Sequence, residues 1–214
     1  MSFFDVTEAL LISFGQNCFI FFATLLGAIP LGMVITFATT SRFRPIRYIM
    51  RTIVWTIRGT PLMLQLFIIF YVPGLISYGL ALPRMSATII AFIINYAAYF
   101  SEIYRGGIES IPRGQYEAGQ VLGMKKSQIF FKVVLFQVTK RIVPPMGNEI
   151  ITLVKDTSLA RVISVDEILR QAERYSAAGY IWPIFYTGVF FLLFVGLLTI
   201  FFNFIEKKMN YYQG

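Results

Sequence analysis

Four stretches of this chain run long without a charged side chain: Ala9–Ser41 for 33 residues, Gly59–Pro83 for 25, Met85–Ser101 for 17 and Tyr175–Ile205 for 31. About 20 mostly apolar residues cross a bilayer as a helix. Lipid offers backbone amides no partner, so a run of this kind must satisfy its own hydrogen bonds, and a helix does so. A fifth stretch, Ile142–Ile163, is weaker because Glu149, Lys155 and Asp156 interrupt it. The chain of 214 residues is 57% hydrophobic and 14% charged, against about 45–50% and about 25% for a soluble domain. The expected fold is all-α: one polytopic membrane domain over residues 1–214, with five transmembrane helices near 10–41, 52–79, 84–104, 139–162 and 178–205.

The charges that remain sort the loops by side. Arg42, Arg44, Arg47 and Arg51 stand together without an acid, and seven bases lie between Arg105 and Arg141 against only Glu109 and Glu117. With Lys207 and Lys208 these make 13 bases on one side of the membrane and 5 on the other. Basic residues near spans stay cytoplasmic, so the amino terminus is expected outside and the carboxyl terminus inside. The net charge of +8 is then a signature of topology, and no nucleic-acid partner is expected.

Several chemistries are disfavoured. With no histidine and one cysteine, Cys18, the chain lacks the usual general base and a nucleophile-plus-base pattern. It also lacks a GxxxxGK[ST] phosphate loop, so it cannot itself hydrolyse ATP. No metal site and no cofactor are expected in this chain. The amino terminus is acidic at Asp5 and Glu8 without a cleavage-type site, so the first span is expected to be retained.

The polar interval 109–136 has a helical plan of its own. Pro112 suits a first helical turn, with Ser110 as its cap. Gly123 is placed to end the helix in a left-handed conformation. Gly119 and Gly123, four apart, strip one side of it, so a bulky group can approach the backbone. Ser127 opens a second helix leading back to the membrane. On the other side, residues 164–175 carry Val165, Ile168, Leu169 and Ala172 at helical spacing, which predicts an amphipathic helix on the outer surface.

Within the spans, Ala23/Gly27 and Ala28/Gly32 have the spacing of close helix packing, and Pro30 is placed to kink the first span. Arg58-Gly59-Thr60-Pro61 predicts a backbone break whose freed groups need partners. Asn95, Tyr96, Tyr99 and Glu102 share one helical face, and Glu102 is expected to pair with Arg105. Pro144-Pro145, Gly147, Asn148 and Glu149 predict a broken helix with a carboxylate inside the apolar zone. Such a combination marks substrate sites in transporters. Asn95, Tyr99, Asn148 and Glu149 are therefore the candidate substrate-binding residues. The competing expectation pairs Glu149 with Lys155 or with a neighbouring subunit.

Glu117-Ala118-Gly119, then Gly123, Val133 and Leu135, resemble the EAA loop of ABC-transporter permease subunits. The departures are Gly119 for Ala, Val133 for Ile and Phe136 for Pro; the last removes a helix break. RGTP with Gln65, NYAAYFSEIYRGGI at 95–108 and GNEIITLVKDTSL at 147–159 fall in the order of the polar amino-acid uptake branch of that family. The resemblance covers roughly residues 12–207. It implies a type I importer permease of a bacterial cytoplasmic (inner) membrane, paired with a second permease, identical or similar. It also implies two ATPase subunits, which would hold ATP and Mg²⁺, and an extracytoplasmic amino-acid-binding protein. Glu117, Ala118, Gly119 and Gly123 would couple to the ATPase. The acidic Glu149 makes a basic amino acid the first substrate expected. The rival function is a stand-alone secondary transporter with Glu149 as its proton- or ion-coupling carboxylate.

Overall fold

The computed structural model describes residues 2–77 and 80–209, and their regular structure is entirely helical. The last two residues of the expected span 52–79 lie outside these. In chain order the α-helices are α1 (Phe3–Thr39), α2 (Arg44–Gly59), α3 (Leu62–Ile76), α4 (Arg84–Glu109), α5 (Arg113–Val121), α6 (Lys126–Ile129), α7 (Leu135–Asp156), α8 (Ile168–Ala177) and α9 (Trp182–Met209). A π-helical stretch, Phe130–Val134, precedes α7, and a 3-10 stretch, Thr157–Ile163, follows it.

α1 begins at a capping box: the Ser2 side chain accepts from Phe4 N and the Asp5 carboxylate accepts from Ser2 N, so early amides that lack helical partners find them. The helix runs unbroken through Pro30 for 37 residues, about 55 Å at 1.5 Å per residue. Its main neighbour is α4. A β-carbon at Gly27 would lie 2.4 Å from Ile93 Cδ1, and one at Gly32 would lie 3.0 Å from Phe100 Cβ. The small-residue spacing thus serves close helix packing, as expected. Ala87, Ala91, Ala97 and Ala98 on α4 are fully buried. α9 closes on α1 through rings, Phe14 lying 5.6–5.9 Å from Phe190, Phe191 and Phe194. Phe185, Leu192, Leu197 and Phe204 remain exposed, an apolar face that suits lipid.

Three helices, α1, α4 and α9, are long and apolar enough to span a bilayer, and the pair α2–α3 makes up to a fourth. The expected span 52–79 is not one helix: α2 and α3 meet at a bend of 106°. Pro61 is the N-cap of α3; it has no N–H to continue α2 and favours an extended Thr60, whose ψ is 145°. α7, the expected span 139–162, carries Lys140, Arg141, Glu149, Lys155 and Asp156 and is too polar to be picked out by hydropathy.

α7 also corrects the expectation of a broken helix. It is continuous through Pro144 and Pro145. Two adjacent prolines cost the helix hydrogen bonds, yet the irregular turns lie at its ends, as the π stretch before it and the 3-10 stretch after it. With Phe136 in place of proline, the helical path from Lys126 onward carries the π bulge instead of a break. The Ser110 cap is a second correction: Ser110 Oγ donates backwards to Gly107 O at 2.7 Å, and Pro112 holds the N-cap position of α5.

The segment 164–175, expected to be helical, contributes most of α8, with Ile168 and Ala172 fully buried against α1 and α9. Its cap was not anticipated. Glu167, 0% exposed, accepts from Leu169 N at 3.0 Å, Arg170 N at 2.7 Å and Asn17 Nδ2 at 3.2 Å. Asn17 Oδ1 accepts from Ile168 N at 3.1 Å, and Asn17 Nδ2 also reaches Thr157 Oγ1 at 3.0 Å. This buried cluster ties α1, the 3-10 stretch and α8 together. Burial drives the Glu167 carboxyl above its usual range, while the hydrogen bonds it accepts pull the other way.

Candidate functional site

The bend between α2 and α3 needs internal partners, and Gln65 supplies them. Its Nε2 donates to Ile57 O at 2.8 Å and to Thr60 O and Oγ1 at 3.2 and 3.0 Å. Gln65 Oε1 accepts from Asn95 Nδ2 at 3.1 Å. The amide of Asn95 in mid-helix is therefore spent partly on holding the bend against α4.

Beneath that bend lies a cavity of about 540 Å³, bounded by Arg58 and Pro61, by Asn95 and Tyr99 of α4, and by Glu149 and Asp156 of α7. Glu149, Thr152 and Asp156 fall at steps of three and four along α7, so one helical face puts all three on the cavity. Asp156 is fixed from α4: Tyr96 OH donates to Asp156 Oδ2 at 2.7 Å. Tyr96 itself is buried, so it both packs and positions a charge.

Three of the four expected substrate residues, Asn95, Tyr99 and Glu149, thus share one cavity. Asn148 does not line it and is exposed, because neighbours on a helix point about 100° apart. The expected pairing of Glu149 with Lys155 is not made: Lys155 is exposed, and neither residue joins an ion pair among the described residues.

The expected pair Glu102–Arg105 is present, with Arg105 Nε donating to Glu102 Oε1 at 3.0 Å. It belongs to a longer network between α2 and α4. Arg105 Nη1 reaches Glu109 Oε2 at 2.6 Å, Arg51 lies 3.9 Å from Glu109, and Arg58 Nη1 lies 3.6 Å from Glu102 Oε2. The Arg58 guanidinium also sits over the Tyr99 ring, 5.1 Å from its centroid.

The second candidate surface is α5. Gly123 closes the turn after it at φ 71°, with Met124 N donating to Gly119 O at 3.0 Å, as the left-handed cap requires. Glu117 and Ala118 are exposed. Gly119 is not: it is buried on Ile129, and a β-carbon there would meet Ile129 Cγ1 at 2.6 Å. The bulky group that the bare side of the helix admits belongs to this chain.

Val121 and Leu122 went unnoticed in the sequence. They are 87% and 78% exposed at the end of α5, two large apolar side chains on the tip of a polar loop. The signal was available: an apolar pair directly before a capping glycine, on a helix whose remaining face is polar. Arg58 and Asp156 as cavity walls were also missed; for Asp156 the signal was its step of seven from Glu149, which puts both on one face of α7.

Comparison with known proteins agrees with this architecture. The chain is 38% identical over 185 residues to the L-cystine transport system permease protein TcyB of Bacillus subtilis (strain 168), covering 85% of this chain and 78% of the relative. It is 35% identical over 183 residues to the arginine transport system permease protein ArtQ of the same organism, covering 84% and 83%. A crystal structure of an amino acid ABC transporter with histidines matches it with a TM-score of 0.87 at 27% identity, over 97% of this chain and 99% of that one. The resemblance to ABC-transporter permeases, drawn from the EAA-like loop and the motifs around it, is borne out. A family model matches residues 28–211, and the chain belongs to that family, the binding-protein-dependent transport system inner membrane components.

Proposed function

We propose that this chain is the permease subunit of an ATP-driven importer of amino acids, with a basic amino acid as its first substrate. The observation that carries the substrate is the cavity beneath the α2–α3 bend, whose lining includes Glu149 and Asp156 together with Arg58. Two carboxylates held in a partly enclosed space attract cations strongly, and an α-amino acid with a basic side chain brings two. Relatives that carry L-cystine and arginine support an amino-acid cargo. Asn95 and Tyr99 would contact the same substrate, while Asn148 falls outside this set.

Five crossings are part of the proposal, with α7 as the polar one shielded by α4 and α9, against which it packs. The amino terminus lies outside and the carboxyl terminus inside, in the cytoplasmic membrane of a bacterium. A second permease, identical or similar, completes the path. Two ATPase subunits hold ATP and Mg²⁺ and supply the hydrolysis, and an extracytoplasmic binding protein delivers the substrate. α5 docks on the ATPase through Glu117, Ala118, Val121 and Leu122, with Gly119 and Gly123 shaping the helix rather than touching the partner. The stand-alone carrier reading of Glu149 is not favoured, because the family comprises components of binding-protein-dependent systems.

The test is ATPase activity of the reconstituted complex, with its ATPase subunits and binding protein, across a panel of amino acids. Stimulation by basic amino acids, abolished by Glu117→Lys, is the expected result. Stimulation by none of the panel overturns the amino-acid reading.

A further inference from the structure

α7 and α9 touch where Gly147 meets Phe202: a β-carbon on Gly147 would lie 3.0 Å from that ring. Towards the start of α7 and the end of α9 the two helices enclose a cavity of about 300 Å³. It shares no lining residue with the cavity beneath the α2–α3 bend. Val143 and Pro144 of α7 give it apolar surface, and Lys140 of α7 meets Asn203, Glu206 and Lys207 of α9 around it. Two lysines from two helices stand against one carboxylate, so the lining is positive with Glu206 counted. Lys208 follows at the next position.

The surface of α9 leads into this cavity. Leu193, Leu197, Ile200, Phe204 and Lys207 succeed one another at steps of four, three, four and three, which places them on one helical face. The four apolar members are each at least 64% exposed. An apolar stripe that ends at a lysine and a positive cavity has the layout of a phospholipid, with chain along the stripe and phosphate at the basic end. Lysine suits the phosphate as a compact point charge with three donors. A second copy of this chain packed there by the same face would set lysines against lysines, which like-charge repulsion opposes.

We propose that the cavity between α7 and α9 is a binding site for an anionic phospholipid with a hydroxylated headgroup, of the phosphatidylglycerol class. The phosphodiester lies between Lys140 and Lys207, the headgroup hydroxyls donate to Glu206, and one acyl chain follows the stripe from Phe204 to Leu193. Basic pockets between spans on the cytoplasmic side hold headgroups of this kind. The lysines mark this end of both helices as cytoplasmic, so the lipid belongs to the cytoplasmic leaflet. Only the choice of leaflet rests on the topology proposed above; the binding depends neither on it nor on which substrate is carried.

Equilibrium binding of fluorescent phosphatidylglycerol and phosphatidylethanolamine to the detergent-solubilised permease–ATPase complex tests this. Wild type is expected to prefer the anionic lipid by about tenfold or more. Lys207→Gln should weaken phosphatidylglycerol by about fivefold, and Lys140→Gln with Lys207→Gln by about thirtyfold, while phosphatidylethanolamine stays within about twofold. Asn203→Trp changes no charge and fills the cavity from an exposed position; it too should weaken phosphatidylglycerol about fivefold or more. Thermal unfolding identifies any variant that has lost its fold, and the exposed Lys207 and Asn203 each carry the test without Lys140. Lys125→Gln with Lys126→Gln removes two exposed bases elsewhere on the same side and should leave binding unchanged. Equal loss in that control, no preference between the two lipids, or full binding by Asn203→Trp overturns the proposal. Millimolar inorganic phosphate should not displace the lipid, since it has no chain to lay on the stripe; full displacement would make this a free-anion site and overturns the lipid as its ligand.

Discussion

Gly119 lies so close to Ile129 that a β-carbon on it would sit 2.6 Å from Ile129 Cγ1. The short helix carrying Glu117 is therefore seated on the start of the next helix through bare backbone. Gly119→Ala should force the two apart, costing about 1–3 kcal/mol as overpacking does. Thermal unfolding and substrate-stimulated ATPase activity of the complex should both fall. Removing the obstructing atoms with Ile129→Ala in the same chain should restore a large part of each. A single Gly119→Ala variant indistinguishable from wild type would show that α5 is not held by this contact.

The exposed tip of α5 predicts a different behaviour. Leu122→Asp alters a side chain with almost no neighbours in this chain, so membrane yield and thermal stability should stay at wild-type levels. Coupling should not: an apolar anchor at a protein interface is worth about 2 kcal/mol or more, and stimulated ATPase activity should drop accordingly. Equal activity in detergent and in vesicles would exclude Leu122 from the docking surface.

On the cavity side, Glu149→Gln keeps shape and removes charge. Loss of one partner of a poorly hydrated charge pair costs about 2–5 kcal/mol, so the apparent affinity for a basic amino acid should weaken at least tenfold while neutral amino acids are affected less. Uptake kinetics measured for arginine and glutamine in the same vesicles make the comparison. A uniform loss across both would point to packing instead of charge.

The buried cap of α8 yields a prediction in pH. Burial raises the Glu167 carboxyl above its usual range, so the folded protein protonates it more readily than the unfolded chain. The stability linked to that proton is present below the ordinary carboxyl range and is lost as pH rises through the elevated folded value. Glu167→Gln, permanently neutral, lacks this dependence. The difference in melting temperature between wild type and Glu167→Gln should therefore shift in favour of wild type as pH falls. A pH-independent difference would mean that Glu167 has the same affinity for a proton in both states.

These cases also mark what the sequence made legible. The runs from Ala9 and from Tyr175 announce helices because charge is absent for so long, and the Ala23/Gly27 and Ala28/Gly32 spacing announces a closely packed neighbour, which the structure shows to be α4. Gly123 declares its left-handed turn for the same local reason. The Asn17–Glu167 contact spans 150 positions, and nothing near either residue betrays the other. Gly119 looked like an opening for a partner because Ile129 cannot be seen filling it from the chain alone. Pro144-Pro145 looked like a break because the local rule is strong, yet packing of α7 on α4 and α9 keeps the helix whole. The proline at Pro61, where Thr60 is extended, did bend the chain.

That bend at Pro61 makes a crank of α2 and α3. With their axes 106° apart, turning α2 about its own length carries α3 sideways instead of merely spinning it. The 15 residues of α3 form an arm of about 22 Å, so a twist of about 10° sweeps its far end through about 4 Å. A small rotation of α2 becomes, at the far end of α3, a displacement as wide as an amino-acid side chain.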